Sequence, residues 1–302
     1  MSPDLCLGSA QFGLDYGVTN DYGKTDEKEV YKILKYAKYN NIELIDTAQG
    51  YGIAESIIGE NLPKNSNFKI ISKFQPFDIN QPFEKNLKTW EKKLKQSLER
   101  LAVSELHGFL LHDTQYLKAC NSSALEDWLL SLKERNLVRK IGLSIYENKD
   151  LEGIPVDNFD IIQLPLSIYD QRLLTDGTIA DLQNAGKIIY SRSSFLQGLT
   201  LENSYRWPAF ISNQFKAHHA SLEQDLNYQG ISLIEASLVF LFQCKNINAV
   251  LIGVTSKMQL ESICNTWRNA ENILKNFKID MSKIAWHNSK ELDPRNWPNK
   301  SN

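Results

Sequence analysis

KIISK, residues 69–73, is a near-continuous apolar run closed by a lysine. A strand with one face in water alternates polar and apolar positions, whereas a strand of a helix-covered parallel sheet is buried on both faces and does not. GFLL at 108–111 and AVLIG at 249–253 have the same character. Working outward from these, strands are expected at Leu5–Leu7, Ile42–Asp46, Lys69–Lys73, His107–His112, Lys140–Ser144, Ile161–Leu164, Lys187–Ser191 and Ala249–Gly253. Amphipathic helical patterns fall between them, at Glu27–Asn40, Ala54–Asn61, Phe83–Leu101, Ser123–Arg135, weakly near Lys149–Leu151, Thr178–Ala185 and Ser232–Gln243, with another from about Lys257 to Ala270. Strands alternating with helices in this way predict an α/β fold, a (β/α)8 TIM barrel. The competing fold is an open doubly wound sheet, but the first strand turns through GSAQFG and no GxGxxG occurs, so the phosphate loop of that fold is missing.

No linker, repeat or charge block divides the 302 residues, so one domain spanning 1–302 is expected, with an irregular tail from about 275 to 302 that contains WHNSKELDPRNWPNK. The stretch from Leu199 to Gly230 is long for a connection, and its aromatics Tyr205, Trp207 and Phe210 predict a lid. Lys+Arg 34 against Asp+Glu 36 gives a formal charge of -2, which leaves no basic surplus for nucleic acid or an anionic membrane. The start, MSPDLCLGSAQFG, has no secretory pattern, and no apolar run approaches the ~18 residues of a membrane span, so a cytoplasmic protein is expected. Cys6, Cys120, Cys244 and Cys264 form no CxxC pair, which fits reduced thiols and predicts neither a disulfide framework nor a metal site.

In such a barrel chemistry sits where the strands end. The second strand ends in Asp46 with Tyr51 in the following loop, the third in Lys73, the fourth in His112. A tyrosine with a reference pKa of about 10 protonates poorly near neutrality unless a cation stabilises its phenolate. Lys73 is the candidate cation, Asp46 the lysine's counter-ion, and His112 a donor that orients a carbonyl oxygen. Each residue alone has a bland reading as cap, packing group or surface charge. Together they form machinery for protonating an oxygen while something else attacks the carbon.

These residues resemble the aldo-keto reductase family. DTAQGYGIAESIIG (Asp46 to Gly59) is similar to its signature DTAxxYGxSExxLG, and SKF at 72–74, LLHD at 110–113, RKIGLSIY at 139–146 and Gln163 in IIQLP follow in the family's order. The resemblance implies a barrel binding an extended nicotinamide cofactor, hydride as the attacker, and Asp46, Tyr51, Lys73 and His112 as the catalytic tetrad. It places Gly8 and Ser9 at the start of the cofactor site and matches Ser144 and Gln163 to the residues that bind the nicotinamide carboxamide, with Ile145 where many members have Asn. SRSSFLQGL is similar to the stretch after strand seven, which brings in Ser193, Phe195 and Gly198 and puts Arg192 where an aromatic often stacks on the nicotinamide. That guanidinium would stack there or reach an anionic group of the substrate.

Ser256 followed by Gln259 reads as a capping box at a helix N-terminus, a place that suits an anion. The resemblance matches Gly253, Thr255, Ser256, Lys257 and Gln259 to the segment holding the adenosine phosphate. The usual Arg is Thr255 here, with Lys257 and Arg268 available to compensate, so NADP(H) is expected over NAD(H). Phe12, Tyr16 and Trp207 are expected to line the substrate pocket beside Tyr51 and His112. The implied activity is reversible reduction of a small aldehyde or ketone. The alternatives are a catalytically silent NADPH-binding regulatory or sensor subunit, and a barrel isomerase or epimerase acting on a phosphorylated substrate.

Overall fold

A computed structural model describes residues 2–75, 82–118 and 122–298; Cys120 and the last positions of the tail lie outside them. Eight parallel strands close into a barrel in sequence order. They are β1 (Asp4–Gly8), β2 (Leu44–Asp46), β3 (Lys69–Phe74), β4 (Gly108–Leu111), β5 (Ile141–Ser144), β6 (Ile161–Pro165), β7 (Ile188–Arg192) and β8 (Ala249–Gly253). Every residue of β2, β4, β5 and β6 is buried, as their apolar runs predict. Side chains that alternate along the strands separate into two layers. Cys6, Leu44, Ile71, Leu110, Ile161, Tyr190, Ala249 and Leu251 fill the barrel, while the larger core lies between strands and helices.

The helices are α1 (Ala10–Gly13), α2 (Glu27–Tyr39), α3 (Ala54–Asn61), α4 (Phe83–Leu101), α5 (Ser122–Glu134), α6 (Arg172–Thr175), α7 (Thr178–Asn184), α8 (Asn213–Gln229), α9 (Leu233–Gln243), α10 (Lys257–Arg268), α11 (Ala270–Asn276) and α12 (Ser289–Leu292). Between β5 and β6 the chain makes only short 3-10 turns, at Asn148–Leu151 and Val156–Asn158, where the sequence showed its weakest helical pattern.

Two expectations change. The stretch expected as a lid is largely α8, capped by Ser212, ended by Gly230 in the left-handed region, and seated through Phe215, His219, Leu222 and Leu226. Trp207 is turned into the core, donating from Nε1 to the carbonyls of Leu199 and Glu202 and lying edge-on to Phe215 at 5.0 Å between ring centroids. The tail expected to be irregular carries α12 and is anchored to the barrel. Trp286 stacks on Phe215 at 4.6 Å, and buried Glu291 accepts from Ser212 N, Trp286 Nε1 and Asn288 Nδ2. Burial alone would raise the Glu291 carboxyl, but these hydrogen bonds outweigh it and hold the group below the usual range. Thus fixed, the tail brings Pro294 and Arg295 back to the barrel mouth.

Candidate active site

Strand register collects the polar residues on one rim. Gly8 lies beside both Asp46 and Gly253, Ser144 beside Gln163, and Pro165 beside Arg192. The loop after β2 leans onto β3, with Thr47 N donating to Ile71 O and Gln49 N to Lys73 O. This carries Tyr51 to the wall of the cavity described below. Close packing holds it there: a Cβ on Gly13 would lie 1.9 Å from Tyr51 O, and Gly52, at φ +56°, would place one 2.4 Å from Gly13 O. Behind the loop, Glu55 of α3 accepts from Ser72 of β3 at 2.6 Å and from Ser97 and Arg100 of α4, so the element after Tyr51 is tied to the strand that presents Lys73.

Lys73 and Asp46 are the buried charges at the centre. Lys73 Nζ donates to Asp46 Oδ2 at 2.5 Å, to Thr47 O at 3.2 Å and to Tyr51 Oη at 3.4 Å. Gln163 Nε2 donates to the other Asp46 oxygen at 2.8 Å. The lysine is 1% exposed and lies under the site rather than on its wall. His112 follows β4, its N–H bonded to Phe74 O, and its ring stands edge-on to Tyr51 at 5.8 Å and 77°. Burial, with the charges of Lys73 and Arg192, pushes the imidazole down to about 3, so it is neutral at physiological pH. The Tyr51 phenol is pushed up, first by shelter from solvent and then by the Asp46 charge, with Arg192 opposing. The lowering expected from Lys73 does not prevail, because that ammonium is closer to a carboxylate than to the phenol.

A cavity of 620 Å³ runs from Tyr51, His112 and Asp46 past Gly8, Ser9 and Gln163 to Gly253, Thr255 and Gln259. Tyr16, Arg192, Ser193, Phe195 and Gly198 also border it. Phe12 and Trp207 do not; both are buried apolar packing groups, and they are withdrawn as pocket residues. Ser144, Ser256 and Lys257 are also off the wall. Ser256 Oγ accepts from Gln259 N, but the Gln259 side-chain Oε1 accepts from Thr255 N at 2.7 Å, so the reciprocal half of the expected capping box is displaced by one residue. Lys257 N–H donates to Glu29 of α2 at 2.8 Å, and its ammonium is held by Glu261 at 2.8 Å. Arg268 bonds to Asn40 and Asn265.

Among the cavity residues not expected from the sequence are Tyr146 and Arg295. Tyr146 has Arg192 over its ring at 3.8 Å and Arg295 at 3.8 Å. Two guanidinium groups at that separation need opposite faces, so the phenol ring is sandwiched. Tyr146 was readable beside Ser144, but nothing local tied Arg295 of the tail to it.

The wall suits a nicotinamide group. Gln163 turns its amide nitrogen to Asp46, which leaves its buried carbonyl oxygen without a partner, and Ser9 Oγ is likewise buried and unpartnered. An acceptor and a hydroxyl on the cavity wall are what a carboxamide would engage. Among the described residues no cluster of three or more His, Cys, Asp or Glu side chains could hold a metal, and no helix is long and apolar enough to cross a membrane.

Comparison with known proteins agrees with the fold. Similar structures include an aldo-keto reductase from Bacillus halodurans in its holo form (18% identity, 95% of each chain covered, TM-score 0.68), one from Klebsiella pneumoniae in complex with NADPH (14%, 97% of this chain and 95% of that one, 0.67) and a glycerol dehydrogenase from Gluconobacter oxydans (19%, 91% and 93%, 0.65). At such identities they show a shared fold. No curated protein matches the chain. The model of the Aldo/keto reductase family matches residues 4–276, nearly the whole barrel and the rim that carries Asp46, Tyr51, Lys73 and His112, and the chain belongs to that family.

Proposed function

We propose that the chain, acting as one barrel domain, reversibly reduces a small aldehyde or ketone with a nicotinamide cofactor. The observation that carries this reading is the convergence of Tyr51, Lys73, Asp46 and His112 at one end of a cavity whose wall continues past Ser9 and Gln163 to the N-terminus of α10. A nicotinamide cofactor held along that wall by Ser9 and Gln163 would supply the hydride for the carbonyl carbon. Tyr51 gives its proton to the carbonyl oxygen. Its raised affinity for that proton keeps the donor loaded across the neutral range, and the Lys73 ammonium 3.4 Å away stabilises phenolate as it forms. Neutral His112 orients the carbonyl oxygen through an N–H without competing as an acid. Asp46 pairs with Lys73 in a dry site, and Gln163 holds Asp46 in turn.

Ser9 and Gln163 are assigned to the carboxamide. Gly253, Thr255 and Gln259, with Val254, Ser262 and Ile263, are assigned to the adenosine end, a wall without a charged side chain. The cations behind the expected preference for NADP(H) are engaged elsewhere, and Glu29 already occupies the α10 N–H of Lys257. We therefore propose that NAD(H) is bound at least as well. The free, buried Cys6, Cys244 and Cys264 support a reducing, cytoplasmic setting.

The test is loss of near-ultraviolet cofactor absorbance when protein, NADH or NADPH and a carbonyl panel are mixed. Turnover that depends on Tyr51 supports the proposal. Tight cofactor binding with no turnover across the panel points to the sensor reading, and turnover of a phosphorylated substrate without nicotinamide points to the isomerase.

A further inference from the structure

The charges around the cavity do not cancel. Asp46 is matched by Lys73 at 2.5 Å, and Glu202 by Arg206 at 2.9 Å. Arg295 is matched by Asp293 at 2.7 Å, with Glu147 at 3.5 Å. Arg192 has no carboxylate within ion-pair distance among the described residues. Its partners are neutral: Nη2 donates to Ile145 O at 2.9 Å, Nη1 to Ser193 Oγ at 3.3 Å, and the plane lies on Tyr146. Nε is buried without an acceptor. A guanidinium has further N–H groups beyond those two bonds, set in a planar fork that fits a carboxylate.

Arg192 is half-buried, and a charge partly shielded from water is ordinarily paired, because the desolvation cost is otherwise uncompensated. Here the side chain is held by a carbonyl, a hydroxyl and a ring, which fix its position and leave its charge available. Arg295 braces the opposite face of the same ring, so the tail stiffens the platform while contributing no net charge of its own. Arg192 ends β7 on the rim that carries Tyr51 and His112, and its charge is felt by both of them and by Tyr16. The unmatched cation therefore stands near the proton donor.

We propose that Arg192 is a specificity-determining residue that ion-pairs with an anionic group, a carboxylate, carried by the carbonyl substrate, so that the preferred substrates are oxo acids rather than neutral aldehydes. The proposal rests on the carbonyl-reductase reading above. The same guanidinium chemistry would also suit the cofactor's diphosphate, and the test separates the two. The proximity to Tyr51 and His112 favours the substrate.

The probes are 3- and 4-carboxybenzaldehyde and their methyl esters, with benzoate and methyl benzoate as unreactive counterparts for isothermal titration at saturating NADH. In the wild-type protein kcat/KM favours acid over ester by roughly tenfold to a hundredfold, the size of one charge-assisted hydrogen bond. The difference lies in KM and shrinks with added salt. Arg192→Met brings the ratio near one and abolishes benzoate binding, Arg192→Lys restores part of both, and NADH affinity measured by fluorescence quenching does not follow the acid preference. Equal treatment of acid and ester by the wild type overturns the proposal, as does a ratio that survives Arg192→Met. A selective loss of NADH affinity with the ratio intact assigns the guanidinium to the cofactor and overturns it too. If no carbonyl is turned over but benzoate binds in an Arg192-dependent way, the reductase reading fails and the anion site stands.

Discussion

The two ends of the cavity solve opposite problems. At the β2–β4 end an ammonium and a carboxylate are buried against each other, the ammonium also donating to Thr47 O and Tyr51 Oη and the carboxylate accepting from Gln163. At the α10 end the wall is neutral, and its charges, Lys257 with Glu261 and Glu29 with Lys32, are paired outside at the surface. Buried ion pairs are costly and tolerate no loss of one partner, whereas exposed pairs contribute little. On the proposed function, the first end would move a proton and the second would accommodate a ligand by shape and neutral hydrogen bonds.

Removing one charge from the first end tests this contrast most severely. Asp46→Ala, which strands Lys73, is expected to cost ~3–5 kcal/mol in denaturant unfolding and to abolish turnover. Asp46→Leu combined with Lys73→Met should recover most of the stability and none of the activity; a double variant as unstable as the single one would break the argument. Tyr51→Phe should lower kcat/KM by ~10²-fold or more with little change in melting temperature, since the hydroxyl has one long hydrogen bond to lose.

pH sharpens the same point. With the phenol raised and His112 at about 3, neither group changes charge near neutrality, so the reduction rate should stay level there while alcohol oxidation, which needs phenolate, climbs as pH rises. A reduction rate falling with a midpoint near 7 would remove Tyr51 from the donor role. Stability moves the other way. His112 binds a proton more readily once unfolded, so its contribution is intact above about 6.5 and is lost as pH falls toward 3, and chemical unfolding at stepped pH should follow that slope.

At the second end the effects are smaller. Glu29→Gln, which removes a carboxylate beside the helix N-terminus, should shift the ratio of NADPH to NADH affinity toward NADPH by about threefold, the scale of one helix-end charge. Lys257→Ala should change stability by less than ~0.5 kcal/mol and leave that ratio unmoved; a large selective loss of NADPH affinity would return Lys257 to the phosphate site.

How much of this was readable in advance depends on range. β8 and α4 were bounded by their own apolar periods, and Asp46, Tyr51, Lys73 and His112 by strand ends, because each signal lies within a few residues. Helix α8 had a local signal, Ser212 followed by Phe215, His219, Leu222, Leu226 and Gly230, that the aromatics of YRWPAF overshadowed. Trp207 looked like a lid residue because an indole near a site reads the same whether it faces inward or outward. The contacts of Lys257 with Glu29 and of Tyr146 with Arg295 join positions far apart in the chain, and no local pattern encodes them.

The packing of Gly13 against Tyr51 and Gly52 has an evolutionary corollary. A methyl group at residue 13 would have to displace main chain, so the cost would appear as misalignment of the phenol rather than as unfolding. A survey of inactive variants should thus be enriched at a residue that never meets a ligand, and drift in substrate preference should accumulate elsewhere on the rim, leaving this joint fixed while the mouth around it diversifies.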